Sequence, residues 1–391
     1  MITKKSTIKK LITIGVLAVI FAVLSALSTN VAVCEFFAKT FSRAWIWLFG
    51  HIFSVLPFSV YELFLIVSIV LAIVFAVYLF IFLINRKWNK LVSMFLIAVI
   101  CVFSFLNIYT LSASFAYNRE ELPKEIYSEY TSEDLTFDQA VELADWLVDN
   151  LNQAYENTEH DADGNIVYPF KTLAELSDMM AAEYARVDND YLSSYTPTGK
   201  KIVNKTIMSE LQIVGVFFAP TGEANINGNE KGLFLPDTLA HELAHSKGVM
   251  REYQADIVGR YVLLTSDNDY LRYGSLVKCL NSALNIVLSY PNSDEIYNEL
   301  RGKVNEGISL ERANDSKLFA KYDHFDRLGE FFNDLYLKLQ KQPDGTGSYV
   351  KPPEIIGSGD YDDETGEEIM ITYFSGMQNL LINLYKQGKL K

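Results

Sequence analysis

The residues best suited to chemistry are two histidines and a glutamate in the segment His241-Glu242-Leu243-Ala244-His245. Histidines four positions apart lie on one face of a helix, about 6 Å apart along its axis, so both imidazoles could bind one zinc ion. Glu242 follows the first histidine and could act as a general base, taking a proton from a water molecule on that ion. The spacing therefore predicts metal-dependent hydrolysis.

A zinc site of this kind needs a third protein ligand, and Glu252 is placed to supply it. On an unbroken helix Glu252 would lie about 10.5 Å beyond His245, whereas zinc bonds are about 2 Å long. We therefore expect a bend at Gly248, because glycine can take the left-handed conformation that ends a helix. A second helix starting near Val249 would then return Glu252 to the metal.

Asp256 lies one turn after Glu252, on the same face of that second helix. It could accept a hydrogen bond from the free ring nitrogen of a ligand histidine and hold the ring in place. Two of the five histidines in the chain belong to this motif. The alternative is a buried helix whose two histidines are satisfied by neighbouring groups.

The segment that precedes the motif could border the site. Leu211–Ala219 is rich in β-branched and aromatic residues, which predicts a strand. Glu223, Asn225 and Asn227 alternate in the stretch that follows, so their side chains could share one face and bind substrate. A cluster that stabilises a turn is an equally good interpretation.

Charge and hydropathy divide the chain at about residue 112. Residues 1–112 contain nine basic and two acidic residues, a net charge of +7, while the whole chain carries −14. The rest of the chain is therefore strongly acidic, which argues against nucleic acid as a partner. The three cysteines show no CxxC spacing, so a thiolate zinc site is excluded.

Three apolar segments in this first part are long enough to cross a bilayer. They cover about residues 11–30, 61–84 and 91–111. Lysines precede the first segment, and a basic turn at 86–90 separates the second from the third. Because basic residues stay on the cytoplasmic side, we expect a cytoplasmic N-terminus and an extracytoplasmic domain at 113–391.

Two alternatives remain open in the membrane region. The first segment could be a cleavable signal peptide or could precede a lipid anchor on Cys34, although two further spans favour an uncleaved helix. The aromatic stretch 35–55 could be a helix lying in the outer interface or an ordinary outer loop.

The fold class expected is mainly α (α+β). Three N-terminal transmembrane helices would precede a mostly helical, zincin-like extracytoplasmic domain with a small sheet. Apolar spacing predicts helices after the motif at about 250–265, 268–290, 293–305, 310–341 and 369–386. The acidic segment 357–368 is expected to be a solvated loop, because its glycine is misplaced for a calcium-binding loop.

Several motifs together resemble a known family. They are LPFS (56–59), PTGEANIN (220–227), LAHELAHSKG (239–248), REYQAD (251–256), RYGS (272–275), NDLYLK (333–338) and GSY (347–349). The chain resembles a family of bacterial membrane proteins described as a domain of unknown function, in which three N-terminal spans precede an outer HELAH domain. The resemblance implies a zinc peptidase similar in its ligand set to the gluzincin group, HExxH plus Glu.

These features predict a membrane-anchored zinc metallopeptidase of the bacterial cell membrane. His241, His245 and Glu252 would hold one Zn²⁺, and Glu242 would be the catalytic base. The expected partners are the lipid bilayer and a peptide or protein substrate at the outer face. The alternatives are a zinc hydrolase of a non-peptide envelope amide and a non-catalytic membrane module with a structural zinc.

Overall fold

Helices make up the apolar first part of the chain. The computed structural model describes residues 4–322, 324–339, 342, 344–349, 351–361 and 368–390. The first helices are α1 Lys4–Leu27, α2 Val31–Phe37, α3 Arg43–Ser54, α4 Val60–Ile84 and α5 Trp88–Ser112. Within the described residues, α1, α4 and α5 are long and apolar enough to cross a membrane. They match the three predicted spans and support a membrane location.

The stretch 35–55 is helical, formed by α2, a π-helical turn at Ala38–Ser42 and α3. It packs on the following domain: Trp45 Nε1 donates to the carbonyl oxygen of Pro220 at 3.2 Å. Gly50 permits a second contact, the close approach of Tyr195, because a Cβ at Gly50 would lie 2.8 Å from the ring of Tyr195. The predicted helix is thus present, and its place at a membrane interface stays a prediction.

The remaining chain is mostly helical with small sheets, as predicted. In order it forms α6 Phe137–Asn157, β1 Glu159–His160, β2 Ile166–Val167, α7 Leu173–Arg186, β3 Lys200–Ile202, α8 Lys205–Glu210, β4 Gly215–Phe218, β5 Glu223–Asn227, α9 Leu235–Ser246, α10 Glu252–Leu264, α11 Asp269–Val287, α12 Asp294–Gly302, α13 Glu306–Phe319, α14 Asp326–Leu339, β6 Glu354–Tyr361, β7 Glu368–Tyr373 and α15 Gly376–Lys386. Leu143, Leu147 and Leu151 of α6 are fully buried in its core. Each such leucine contributes about 1.5–3 kcal/mol by leaving water.

A three-stranded sheet lies next to α9. Its order is β3-β5-β4, with β3 parallel and β4 antiparallel to the central β5. The predicted strand 211–219 is shorter than expected, because Leu211 ends α8 and Gln212 adopts a left-handed φ of 55°. β4 is therefore confined to Gly215–Phe218.

Two predictions for the C-terminal part were wrong in detail. The single helix expected at 310–341 is two helices, α13 and α14. The helix expected at 369–386 begins only at Gly376, because Glu368–Tyr373 forms β7 and pairs with β6. The ends of the acidic segment 357–368 thus belong to a hairpin, while 362–367 lies outside the described residues.

Candidate metal centre

The helix α9 carries the HExxH motif and begins with Pro236 in its first turn. Proline fits there because its missing N–H would have no partner within the helix. Asp237 lies in the first turn of α9 but does not cap the helix with its side chain. It is buried and instead accepts hydrogen bonds from Ser275 and Lys278, each at 2.7 Å.

The chain bends directly after the second histidine. Gly248 has a left-handed φ of 77°. The Val249 N–H donates to the carbonyl oxygen of Ala244 at 3.3 Å, and the Gly248 N–H to that of His245 at 2.9 Å. This pair of bonds is a Schellman ending, which requires the left-handed residue. The hinge therefore lies at the predicted glycine, although α10 begins at Glu252 rather than near Val249.

A buried arginine that sequence reasoning missed holds this bend. Arg119 Nη1 donates to the carbonyl oxygens of Lys247 and Gly248, both at 3.2 Å. Its guanidinium also binds Glu35 of α2 through two bonds, at 2.9 and 3.0 Å. Burial alone would raise the pKa of Glu35, but the bonds to Arg119 lower it. The bend is thus connected to the membrane region by a charged pair.

A glycine inside α10 brings the two helices of the site together. A Cβ at Gly259 would lie 3.1 Å from the backbone nitrogen of His241. Glycine in a helix interior costs about 1 kcal/mol relative to alanine. A glycine inside a helical pattern was the one feature of the sequence that could have marked Gly259 as a site of close helix packing.

The three predicted ligands converge. Glu252 Oε2 lies 3.2 Å from His241 Nε2 and 3.7 Å from His245 Nε2. One ligand atom from each residue falls within 4.8 Å of the others. Ligand atoms on a tetrahedral zinc ion with bonds of about 2.1 Å lie roughly 3.4 Å apart. The donor set and its spacing therefore fit a zinc ion.

Both histidine rings are oriented by their other nitrogen. His241 Nδ1 lies 2.9 Å from Asp256 Oδ1, and His245 Nδ1 lies 2.7 Å from the carbonyl oxygen of Val249. These acceptors favour a proton on each Nδ1, which leaves each Nε2 lone pair facing the cluster. Asp256 is itself held by Arg260, at 3.3 Å. The structure thus brings Asp256 to the place that the sequence suggested.

Charges in the cluster shift the pKa values strongly. Burial alone would raise the pKa of Glu252, but the two histidines lower it to about 2. Burial alone would lower the pKa of His241, but the hydrogen bonds to Asp256 and Glu252 raise it well above its usual value. The carboxylates of the site therefore favour a positive charge between Glu252 and the histidines.

Glu242 differs from its neighbours. Its Oε2 atom is buried and has no hydrogen-bond partner within the described parts of the chain. Burial raises the pKa of this carboxyl to about 7. Gly215 of β4 makes room for it, because a Cβ there would lie 2.3 Å from Glu242 Oε1. A carboxyl that can gain and lose a proton near neutral pH suits general acid–base chemistry.

The substrate-binding role predicted for Glu223, Asn225 and Asn227 is not supported. All three are buried in β5. Glu223 accepts the backbone N–H groups of Val60 and Tyr61 at the start of α4, at 3.0 and 3.1 Å. The amides of Asn225 and Asn227 bind nearby backbone and serine groups. Glu223 and Asn225 thus join the sheet to the start of α4, and Asn227 joins it to α8 and the segment that follows. Buried polar groups require such partners.

A cavity of about 980 Å³ adjoins the metal cluster. Glu242, Glu252 and both histidines line it, together with Leu211–Ala219 and with Tyr349. Tyr349 lies far from the motif in sequence, and its hydroxyl accepts a hydrogen bond from Asn333 Nδ2 at 3.2 Å. Burial raises the pKa of Tyr349. A neutral hydroxyl is therefore available to the cavity.

The comparisons with known proteins give a family but no activity. No curated protein and no solved structure matches the chain. A family model with the description "Protein of unknown function (DUF3810)" matches residues 37–356, which is more than half of the sequence and includes the metal cluster. The chain therefore belongs to this family.

Proposed function

We propose that this protein is a membrane-anchored zinc metallopeptidase. The observation that carries the proposal is the convergence of His241, His245 and Glu252 beside a buried oxygen of Glu242 that has no hydrogen-bond partner among the described residues. Three protein ligands leave one position open on a four-coordinate ion, as catalytic sites require. When bound, zinc would supply a Lewis acid that polarises a carbonyl and lowers the pKa of water.

The roles of the protein groups follow from their positions. Glu242 takes the proton of the attacking water on its carboxylate and passes that proton to the leaving amine. Asp256 and the carbonyl oxygen of Val249 hold the two histidine rings in their orientation. The bend at Gly248, with Arg119 bound to its carbonyls, keeps Glu252 within reach of both rings.

The cavity favours a peptide as substrate. β4 is an edge strand of its sheet, and all of its residues line the cavity. An edge strand offers backbone N–H and C=O groups to an extended chain. A non-peptide envelope amide is the alternative substrate, and a non-catalytic module with structural zinc is the alternative role.

The orientation follows from the basic residues. Lysines before α1 and the basic turn at 86–90 would face the cytoplasm. With three crossings, the metal centre would then lie outside the cytoplasm of a bacterial cell, at the outer face of the plasma membrane.

Metal content and hydrolysis of the full-length protein test this proposal. We expect about one zinc ion per chain in wild type and in Glu125→Ala, whose exposed glutamate serves as control, and less in Glu252→Ala. Wild type should hydrolyse members of a peptide library and lose this activity with a chelator. Bound zinc without hydrolysis would favour the structural module, and hydrolysis of wall fragments alone would favour the envelope amide.

A further inference from the structure

The cavity beside the metal cluster extends to the membrane helices. Tyr61 of α4 lines it, as do Phe105, Leu106 and Tyr109 of α5. α5 has 25 residues and a length of about 37 Å, whereas the hydrocarbon core of a bilayer is about 30 Å thick. Phe105 lies seven residues before the end of α5 at Ser112, which is about 10 Å along its axis. The cavity wall therefore descends to the level of the lipid headgroups.

Aromatic rings connect this wall to the sheet. The ring of Phe64 lies 5.4 Å from that of Phe105 and 5.3 Å from that of Phe218, between ring centres. Tyr61 contacts the same Phe218 ring at 5.0 Å. Phe218 ends β4, the strand beside Glu242. A continuous apolar surface thus leads from the outer ends of two spans to the metal cluster.

The helix α14 forms another wall of the cavity and touches the same span. Gly329, Asn333 and Tyr336 of this helix line the cavity. The Tyr336 hydroxyl lies 2.5 Å from that of Tyr109 on α5 and 3.1 Å from that of Tyr117. These hydrogen bonds place α14 beside the outer end of the third span.

An adjacent face of α14 is apolar and exposed. Leu328, Leu335 and Leu339 are 45%, 44% and 72% exposed. At about 100° per residue they fall within roughly 40° of arc, beside the face that lines the cavity. An amphipathic helix with such a stripe, next to a transmembrane helix, is suited to lie in the bilayer interface. Lipid can cover the leucines while the neighbouring face stays on the cavity.

We propose that the substrate is a polypeptide anchored in the membrane, cleaved close to the point at which it leaves the outer leaflet, with the leucine face of α14 resting on lipid. This proposal rests on the peptidase function. An anchored chain would pass between α14 and the outer end of α4, beside the contact of Tyr336 with Tyr109, where apolar walls favour its membrane-proximal residues. The scissile bond would then reach the metal cluster while the anchor stays in the bilayer.

Full-length protein in lipid nanodiscs tests the proposal. A random peptide library is presented in three forms: joined directly to a polyleucine transmembrane helix, joined to it through a spacer of 20 Gly and Ser residues, and free in solution. The spacer keeps the local concentration high but moves the peptide away by an average of roughly 25 Å. We expect the direct fusion to be cleaved at least tenfold faster than the other two forms.

Equal cleavage of the direct and spaced fusions would overturn this inference and leave the peptidase function standing. Cleavage of no form by zinc-loaded protein would overturn both. Leu335→Asp should slow cleavage of the direct fusion about threefold or more, because a carboxylate disfavours the acyl boundary. Leu310→Asp changes a leucine of similar exposure on α13 and should have no such effect. The same rate for both variants would contradict lipid contact by α14.

Discussion

Two buried polar clusters lie close together in this chain and are used differently. One is the strand cluster of β5, formed by Glu223, Asn225 and Asn227. The other is the metal cluster, formed by His241, Glu242, His245 and Glu252. The sequence patterns assigned both clusters to the active site. In the structure the two clusters differ in the partners of their polar atoms.

The polar side chains of the strand cluster have hydrogen-bond partners elsewhere in the protein. Glu223 accepts two backbone N–H groups and the hydroxyl of Thr221, and the two asparagines bind carbonyls and hydroxyls. In the metal cluster, by contrast, three potential ligand atoms face one point and Glu242 keeps an unpartnered oxygen within the described chain. Leaving buried polar groups without partners costs about 1–3 kcal/mol each. Such a cost is retained where a bound ion or a reaction uses those groups.

The largest expected effect is that of Glu242→Gln. The variant should keep its zinc and lose activity by about 10²–10⁴-fold, because the amide cannot accept the proton. Its melting temperature should not fall, because burial already disfavours the charge of this carboxylate. Metal analysis and peptide hydrolysis check both points. Turnover equal to that of wild type would remove Glu242 from the mechanism.

Gly215→Ala should have the next largest effect. The new methyl group would lie 2.3 Å from Glu242 Oε1, so the carboxylate must move. A displacement of about 1 Å can cost roughly 100-fold in rate, and we expect this loss in kcat with zinc content unchanged. Gly302→Ala is the matched control, because its methyl group would meet none of the described atoms within 4 Å. Equal activity in the two variants would show that β4 does not position the base.

Local patterns accounted for much of the metal cluster. Helix geometry within sixteen residues determines the HExxH spacing, the hinge at Gly248 and the approach of Glu252 to the histidines. The structure brings these groups together. Arg119, which holds the hinge, could not be found in this way. Its partners Glu35 and Lys247 are 84 and 128 residues distant in sequence, and no local pattern encodes such a contact.

The strand cluster also shows that local sequence patterns do not identify partners that are distant in the chain. Alternation correctly indicated that Glu223, Asn225 and Asn227 point in a common direction, but it could not tell which group would meet them. For Glu223 and Asn225 that group is the start of α4, more than 160 residues earlier in the chain, whereas Asn227 binds Ser209 and Ile213. The fold class was predictable because apolar periodicity is local. The β6–β7 hairpin was missed because β6 contains two glycines and an aspartate, and because the apolar residues of β7 also fit a helix.

Glu223→Ala should affect stability and leave the chemistry intact. It removes the acceptor for two N–H groups of α4 and for Thr221, so we expect the free energy of unfolding to fall by about 2–3 kcal/mol. Thermal unfolding in detergent measures the change, with Glu125→Ala as a surface control. Zinc content per folded chain should equal that of wild type. A variant that is as stable as wild type but loses activity would show that the strand cluster belongs to the active site.

The smallest expected effect is that of Asp256, which contacts the proposed ligand His241 but would not contact the metal itself. Asp256→Ala removes the acceptor for His241 Nδ1 and should weaken zinc binding by about 10–100-fold. Asp256→Asn keeps an acceptor oxygen but loses the charge, so its affinity should fall between those of Asp256→Ala and wild type. Competition with a zinc chelator measures all three, and saturating zinc should restore most of the activity. If the Ala and Asn variants bound zinc as tightly as wild type, the hydrogen bond to His241 would be structural, like those of the strand cluster.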